Sequence, residues 1–179
     1  MGAPGYTPVS AMRGDIGSST MAARDMKTKL GYAKYIIEGR SDLLRCVLYD
    51  MFDTGKDKLV KTIKRYMEEI GIAQLEDLGR LSESDLKNRV NNYDENKWRD
   101  ELQEKSTLEL YRQWKVKIRE ISWFDNTPGS GLLFKARSNS LKLGWRKRFE
   151  GGEGRCKLCD TGEEETLLHF MKDCNLYNE

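Results

Sequence analysis

The sequence predicts an all-α fold, a helical bundle carrying a small C-terminal CCHC zinc hairpin. Three observations lead there. Apolar residues recur at steps of three and four over most of the chain, and no run alternates in the manner of a strand. The C-terminal stretch holds Cys156-x2-Cys159, nine further residues, and His169-x4-Cys174. Composition agrees, with 34% of the 179 residues charged and a mean hydropathy of −0.73. No apolar stretch approaches the roughly 18–20 residues of a membrane span, so no membrane partner is expected.

Residues 1–20 carry Gly2, Pro4, Gly5, Pro8, Gly14 and Gly17 and read as an irregular entry segment. Their start, Met1-Gly2-Ala3-Pro4-Gly5-Tyr6, has neither the apolar core of a secretory leader nor the Ser/Thr that a myristoylation signal needs. A reducing, intracellular compartment is expected, nuclear or cytoplasmic, with the nucleus preferred. A helical domain is expected over residues 21–125. Met26, Leu30, Ala33 and Ile37 form one stripe, Leu44, Val47, Leu48 and Met51 a second, and Leu59, Ile63, Tyr66, Met67 and Ile70 a third that stops at Gly71. This spacing reads as core, and Cys46 within the second stripe reads as a buried free thiol.

After a connector over Ala73–Leu81, Ser82-x-x-Asp85 predicts an N-cap ahead of Leu86, Val90 and Tyr93. Trp98 and Leu102 either continue that helix or begin another. Ser106-x-x-Glu109 is a capping box opening a helix with Tyr111, Trp114, Ile118 and Ile121 on one face. Residues 126–150 are expected to be a linker, clearest at Asn126–Gly131, followed by a basic segment in which Phe134 points into the core. Residues 151–179 form the metal-binding tail.

Within that tail, His169 is the chain's single histidine, and three of its four cysteines lie beside it. Three thiolates and one imidazole make a closed tetrahedral set, and a two-residue gap lets Cys156 and Cys159 bite from one turn. A disulfide would leave one of the three cysteines unpaired. The expected cofactor is therefore structural Zn²⁺ on Cys156, Cys159, His169 and Cys174. A second box, Thr161 with Glu164, predicts a helix from about Gly162 to Lys172, with Glu163, Glu164 and Glu165 in its first turn facing the helix dipole. The five-residue step from His169 to Cys174 turns about 140° on an ideal helix, so the chain should leave helical geometry before Cys174. Leu158, Leu167, Leu168 and Phe170 would form a small apolar cap. The ion would then supply most of the tail's folding free energy.

Net charge is only +2, but it is unevenly spread. Thr107–Arg155 holds eleven Lys/Arg against five Asp/Glu, a local charge of +6, and Cys156–Glu179 is −4. Lys135, Arg137, Lys142, Arg146, Lys147, Arg148 and Arg155 fall within twenty-one residues, interleaved with Phe134, Trp145 and Phe149. Cations neutralise phosphates and aromatic faces stack on unpaired bases. The expected contacts to nucleic acid are Lys135, Arg137, Lys142, Arg146, Lys147, Arg148 and Arg155 to phosphates, with Trp145 stacking. The competing reading is a solvated helix face. Asp50 and Asp53, three apart, read as ordinary surface charges.

Both ends of the chain resemble one family. Leu132-Leu133-Phe134-Lys135-Ala136-Arg137, Ser140-Leu141, the Cys-x2-Cys pair, Glu163-Glu164-Glu165-Thr166-Leu167-Leu168-His169-Phe170 and Cys174-x-x-Tyr177 are similar to the carboxy-terminal region of non-LTR (LINE-type) retrotransposon reverse transcriptases. Gly5-Tyr6-Thr7-Pro8, Arg13-Gly14-Asp15-Ile16-Gly17, Arg24 and Lys29-Leu30-Gly31-Tyr32 resemble the segment just after that family's polymerase palm. The likeness covers roughly residues 4–37 and 106–177. It implies a thumb-like helical domain over 21–125 and a closing CCHC zinc knuckle. The family's Asp-Asp turn for two Mg²⁺ ions is missing, since no Asp-Asp pair exists here. No catalytic residue is assigned, and the chain is not expected to be an enzyme.

The resemblance implies a non-catalytic accessory fragment that holds template RNA or target DNA. The expected partners are RNA and/or DNA and the remainder of a retroelement polyprotein. Two other functions fit the same sequence: a zinc-stabilised protein–protein interaction module, and a non-functional retroelement remnant. They differ in salt response and in cooperativity of melting.

Overall fold

A computed structural model of the chain describes residues 7–122, 127–144, 151, 153–159 and 161–176. The protein is mostly helical, and among the described residues there is no strand, only one antiparallel bridge between Arg155 and Glu164. No described helix is long and apolar enough to cross a membrane. Contacts divide the chain into two compact units, residues 17–101 and a second built from residues 1–16 with 102–179. This cuts across the sequential division into 1–20, 21–125, 126–150 and 151–179, because Ala11, Gly14 and Asp15 hydrogen-bond to groups about a hundred positions away.

The unit over 17–101 contains α2 (Met21–Glu38), α3 (Asp42–Thr54), α4 (Lys58–Glu69), α5 (Leu75–Arg80) and most of α6 (Glu83–Gln103). Thr20 caps α2, its hydroxyl accepting from the Ala23 N–H at 3.0 Å and donating to the buried Asp94 carboxylate on α6 at 2.7 Å. Met26, Leu30 and Ala33 of α2 meet Ile63, Tyr66 and Met67 of α4, Leu75 and Leu78 of α5, and Leu86 and Val90 of α6 in one core. Each large side chain so buried contributes about 1.5–3 kcal/mol. The stripe on α2, and that on α4 from Ile63 onward, therefore fall where the spacing placed them.

Three expectations in this unit are corrected. On α3 only Leu48 is buried: Leu44 and Val47 are exposed, as are Leu43 and Cys46. The stripe is genuinely helical, but the core accepts α3 through a single row, so Cys46 is not a buried thiol. Leu59, the first residue of the third stripe, is also exposed, since it sits in the capped first turn of α4. The Ala73–Leu81 connector contains α5, because Leu75 and Leu78 find burial that a loop would waste. Gly79 permits this packing, as a Cβ there would lie 2.7 Å from the Ile37 side chain. The Ser82 cap is reciprocal, its hydroxyl accepting from the Asp85 N–H at 3.0 Å and donating to the Asp85 carboxylate at 2.7 Å. Trp98 and Leu102 continue the same helix, α6.

In the other unit, the entry segment expected to be irregular contains a helix. Val9–Ile16 form α1, started by the Pro8 carbonyl accepting from Ala11 and Met12 and ended at Gly17 with φ 73°. Ser106–Leu108 make a single 3₁₀ turn and Glu109–Trp114 form α7, with no side-chain capping bond at either start. The predicted helix face through Ile118 and Ile121 does not form. Lys115 is extended, and Arg119 and Ile121 donate backbone hydrogen bonds to Gly14 and Asp15 at 3.2 and 3.1 Å. Tertiary pairing with the end of α1 overrides local propensity there. The expected linker after Thr127 is α8 (Pro128–Arg137), capped by the Thr127 hydroxyl with Pro128 in the first turn. Phe134 is buried, as expected.

One buried network ties these pieces together. The Tyr111 hydroxyl lies 2.7 Å from the Asp15 carboxylate, to which it donates, and 2.9 Å from the Ala11 carbonyl. Lys115 Nζ and Arg137 Nη1 reach the same carboxylate at 3.6 and 3.7 Å, with side chains 9% and 13% exposed. Burial, and then the Asp15 charge, push the Tyr111 hydroxyl well above the usual phenol range, and burial also lowers Lys115.

Candidate metal centre

The tail gathers its donors from a turn, a bridge and a distorted helical turn. Cys156 and Cys159 lie on the first limb, where Arg155 pairs with Glu164 and the Cys156 N–H donates to the Glu163 carbonyl at 2.8 Å. Gly162, at φ 72°, supplies the left-handed residue that reverses the chain. The helix predicted over Gly162–Lys172 is shorter than expected, because residues 163–165 are committed to the bridge. Thr166 starts it instead, its hydroxyl accepting from the His169 N–H at 3.1 Å.

His169–Asp173 then form a π-helical turn, closed by the Cys174 N–H donating to the His169 carbonyl at 2.8 Å. A five-residue hydrogen bond brings back a residue that an α-helix would carry about 140° away. The H-x4-C spacing is thus the one that a π-type hydrogen bond spans, and Cys174 itself is extended. The expected departure from α geometry occurs in this form.

Cys156, Cys159, His169 and Cys174 are all buried, and their donor atoms lie within 4.8 Å of one another. A tetrahedral ion with bonds of ~2.3 Å to sulfur needs edges of ~3.8 Å. Closing the set onto an ion requires sub-ångström movements. All four cysteines of the chain are free thiols. The four residues are placed to bind a metal ion.

The surrounding groups suit that role. His169 Nδ1 lies 3.0 Å from the Glu163 carboxylate, which leaves Nε2 facing the sulfurs, 3.3 Å from Cys159 Sγ. A carboxylate behind a histidine fixes its tautomer and ring orientation. The Thr161 hydroxyl, 3.1 Å from Cys159 Sγ, followed by the Thr161 N–H, helps pull that thiol down to about 6. His169 is pushed up to about 9 by its hydrogen bond to Cys156 foremost, then Cys159 and Glu163, against burial. Burial pushes the Cys174 thiol up.

The chain matches no family model, no curated protein and no solved structure. The chemistry of the donors therefore carries the functional reading.

The basic residues singled out in the sequence do not share one surface role. Trp145, Arg146, Lys147 and Arg148 lie outside the described residues. Arg137 is turned inward onto Asp15 and over the Tyr111 ring, so it is removed from the expected phosphate contacts. Lys135 is half-buried, and Lys142 and Arg155 are exposed. The expected apolar cap is also reduced, since Leu167 is buried while Leu158 and Leu168 are exposed. Sequence reasoning missed Glu163 and Thr161, whose acidic and turn-forming character had already been accounted for by a helix start.

Proposed function

We propose that the tail holds Zn²⁺ through Cys156, Cys159, His169 and Cys174 as a structural knuckle, and that the chain is a non-catalytic nucleic-acid-binding module. The observation that carries this reading is the buried Cys₃His set flanked on its first limb by the exposed cations Arg155 and Lys157. Thiolate and imidazole donors select soft or borderline ions, zinc foremost, and a closed four-ligand site leaves no position for substrate. Folded around the ion, the knuckle would present Arg155 with Lys142 and the Arg146–Arg148 run to a phosphate backbone. In the setting the sequence resemblance suggests, the chain holds template RNA or target DNA as the carboxy-terminal part of a LINE-type reverse transcriptase.

Metal analysis of reduced protein should give one zinc per chain. An anisotropy titration with RNA and DNA oligonucleotides at two salt concentrations should show affinity falling steeply with salt. On single strands the slope is about −0.7 per phosphate neutralised. Charge reversal at Arg146 and Arg148, and separately at Lys142 and Arg155, should weaken binding. Salt-independent binding, or undiminished binding by both variants, refutes the proposal.

A second reading has one observation in its favour. Leu43, Leu44 and Val47 expose an apolar row on α3, as a protein-interaction module would. Salt-insensitive capture of a partner, lost on Leu44→Asp, would favour it.

A further inference from the structure

We propose that the segment Trp114–Arg119 is a stacking platform for single-stranded nucleic acid, with Trp114 receiving an unpaired base and Lys117 and Arg119 taking the adjoining phosphates. This rests on the nucleic-acid reading above but uses residues outside the metal-binding tail.

The argument begins with Trp114, whose side chain belongs to a residue 55% exposed although it ends a helix whose Tyr111 is wholly buried. Tryptophan is highly buried on average, and exposing its ring forfeits a large burial term. The cause is local. The chain leaves helical geometry at Lys115 (φ −113°, ψ 100°), whose N–H still donates to the Tyr111 carbonyl at 2.9 Å. Lys115 then turns inward to Asp15 and donates to the Arg119 carbonyl at 2.6 Å. Arg119 and Ile121 are fastened to α1 through their backbone N–H groups.

The result is a short non-helical stretch, bent at Lys117 and held at both ends. Lys115 and Ile118 face partly inward, whereas Trp114, Val116, Lys117 and Arg119 are exposed. Because the backbone is fixed, little conformational entropy remains to be lost on binding.

The charge pattern names the occupant. Leu110–Arg119 contains Arg112, Lys115, Lys117 and Arg119 and no acidic residue, with Glu109 and Glu120 outside the run. Arg112 and Lys115 are engaged with protein groups, Arg112 donating to the Leu102 and Gln103 carbonyls. That leaves Lys117 and Arg119, both exposed, three and five positions beyond Trp114 in the chain. An exposed indole followed in the same anchored segment by exposed cations fits a polyanion with unstacked bases. Paired bases present no free face to an indole.

The test uses the intact, metal-loaded chain and three fluorescein-labelled probes, oligo-U RNA, oligo-dT and a DNA duplex. Trp114→Ala should weaken binding to one or both single strands by roughly tenfold, and Trp114→Phe should retain most of it. Lys117→Gln with Arg119→Gln should flatten the salt slope by about 1.4. Circular dichroism and thermal melting should be unchanged, since all three side chains are on the surface.

The platform is overturned if the parent binds single strands and Trp114→Ala binds them equally well. Should Lys142 and Arg155 variants weaken binding in that case, the nucleic-acid reading survives without it. It is also overturned if Trp114→Ala loses duplex binding in equal measure, which would indicate a contact other than stacking. If no probe binds the parent, both readings fall together. If the effect of Trp114→Ala appears instead as loss of self-association in sedimentation, the surface joins copies of the chain and the proposal fails.

Discussion

Asp15→Asn is the most informative single change in the fold. It keeps the size of the side chain and an acceptor for the Tyr111 hydroxyl, while removing the carboxylate charge that faces Lys115 and Arg137. Breaking a buried ion pair by removing one partner costs about 3–5 kcal/mol, because the remaining charge is left uncompensated. The lower end applies here, since Lys115 keeps its bond to the Arg119 carbonyl and Arg137 keeps its stacking over Tyr111 at 5.5 Å. Some 3 kcal/mol is thus expected, and for a chain of this length each kcal/mol moves the melting point by about 2–4 °C.

Urea unfolding followed by far-ultraviolet circular dichroism measures the loss. Adding Lys115→Met should restore part of it, because one buried cation disappears with its counter-charge. A loss under 1 kcal/mol for Asp15→Asn, or additive effects in the double variant, would refute the idea that this carboxylate neutralises two buried cations.

Other expectations follow from the same geometry. Glu163→Gln should lower metal affinity about tenfold by chelator competition while leaving stoichiometry intact, since removing an outer-shell partner costs roughly 10–100-fold. Gly79→Ala should cost about 1–3 kcal/mol in urea unfolding, as its methyl would press on Ile37. Removing the metal should abolish hydrogen-exchange protection in residues 154–174 and spare that of α2 and α4.

The pattern of what could be read in advance has physical causes. Met26, Leu30, Ala33 and Ile63, Tyr66, Met67 were legible because a periodic stripe and burial coincide when a helix is walled by several neighbours. The Ser82 cap and the Cys₃His set were legible because both depend on fixed local spacing. On α3, periodicity announces a helix but not how much of its apolar row the core will cover. Nor can local pattern foresee that α7 stops at Trp114, since Asp15 and Lys115 stand a hundred positions apart in the chain. Thr127-Pro128 was misread as a break, although a Thr cap with Pro at the first position is equally a start. Glu163 escaped because its partner becomes visible only once the chain has folded back across Gly162.

Glu163 also has a mechanical meaning. Its carbonyl grips the Cys156 amide while its carboxylate grips the His169 ring, so one residue couples the first ligand to the third. Slackening either grip should disturb the other, so the tail is expected to open as a unit. Exchange of the ion with its surroundings should then proceed as a single concerted event, slow and all-or-none, instead of by shedding donors one after another.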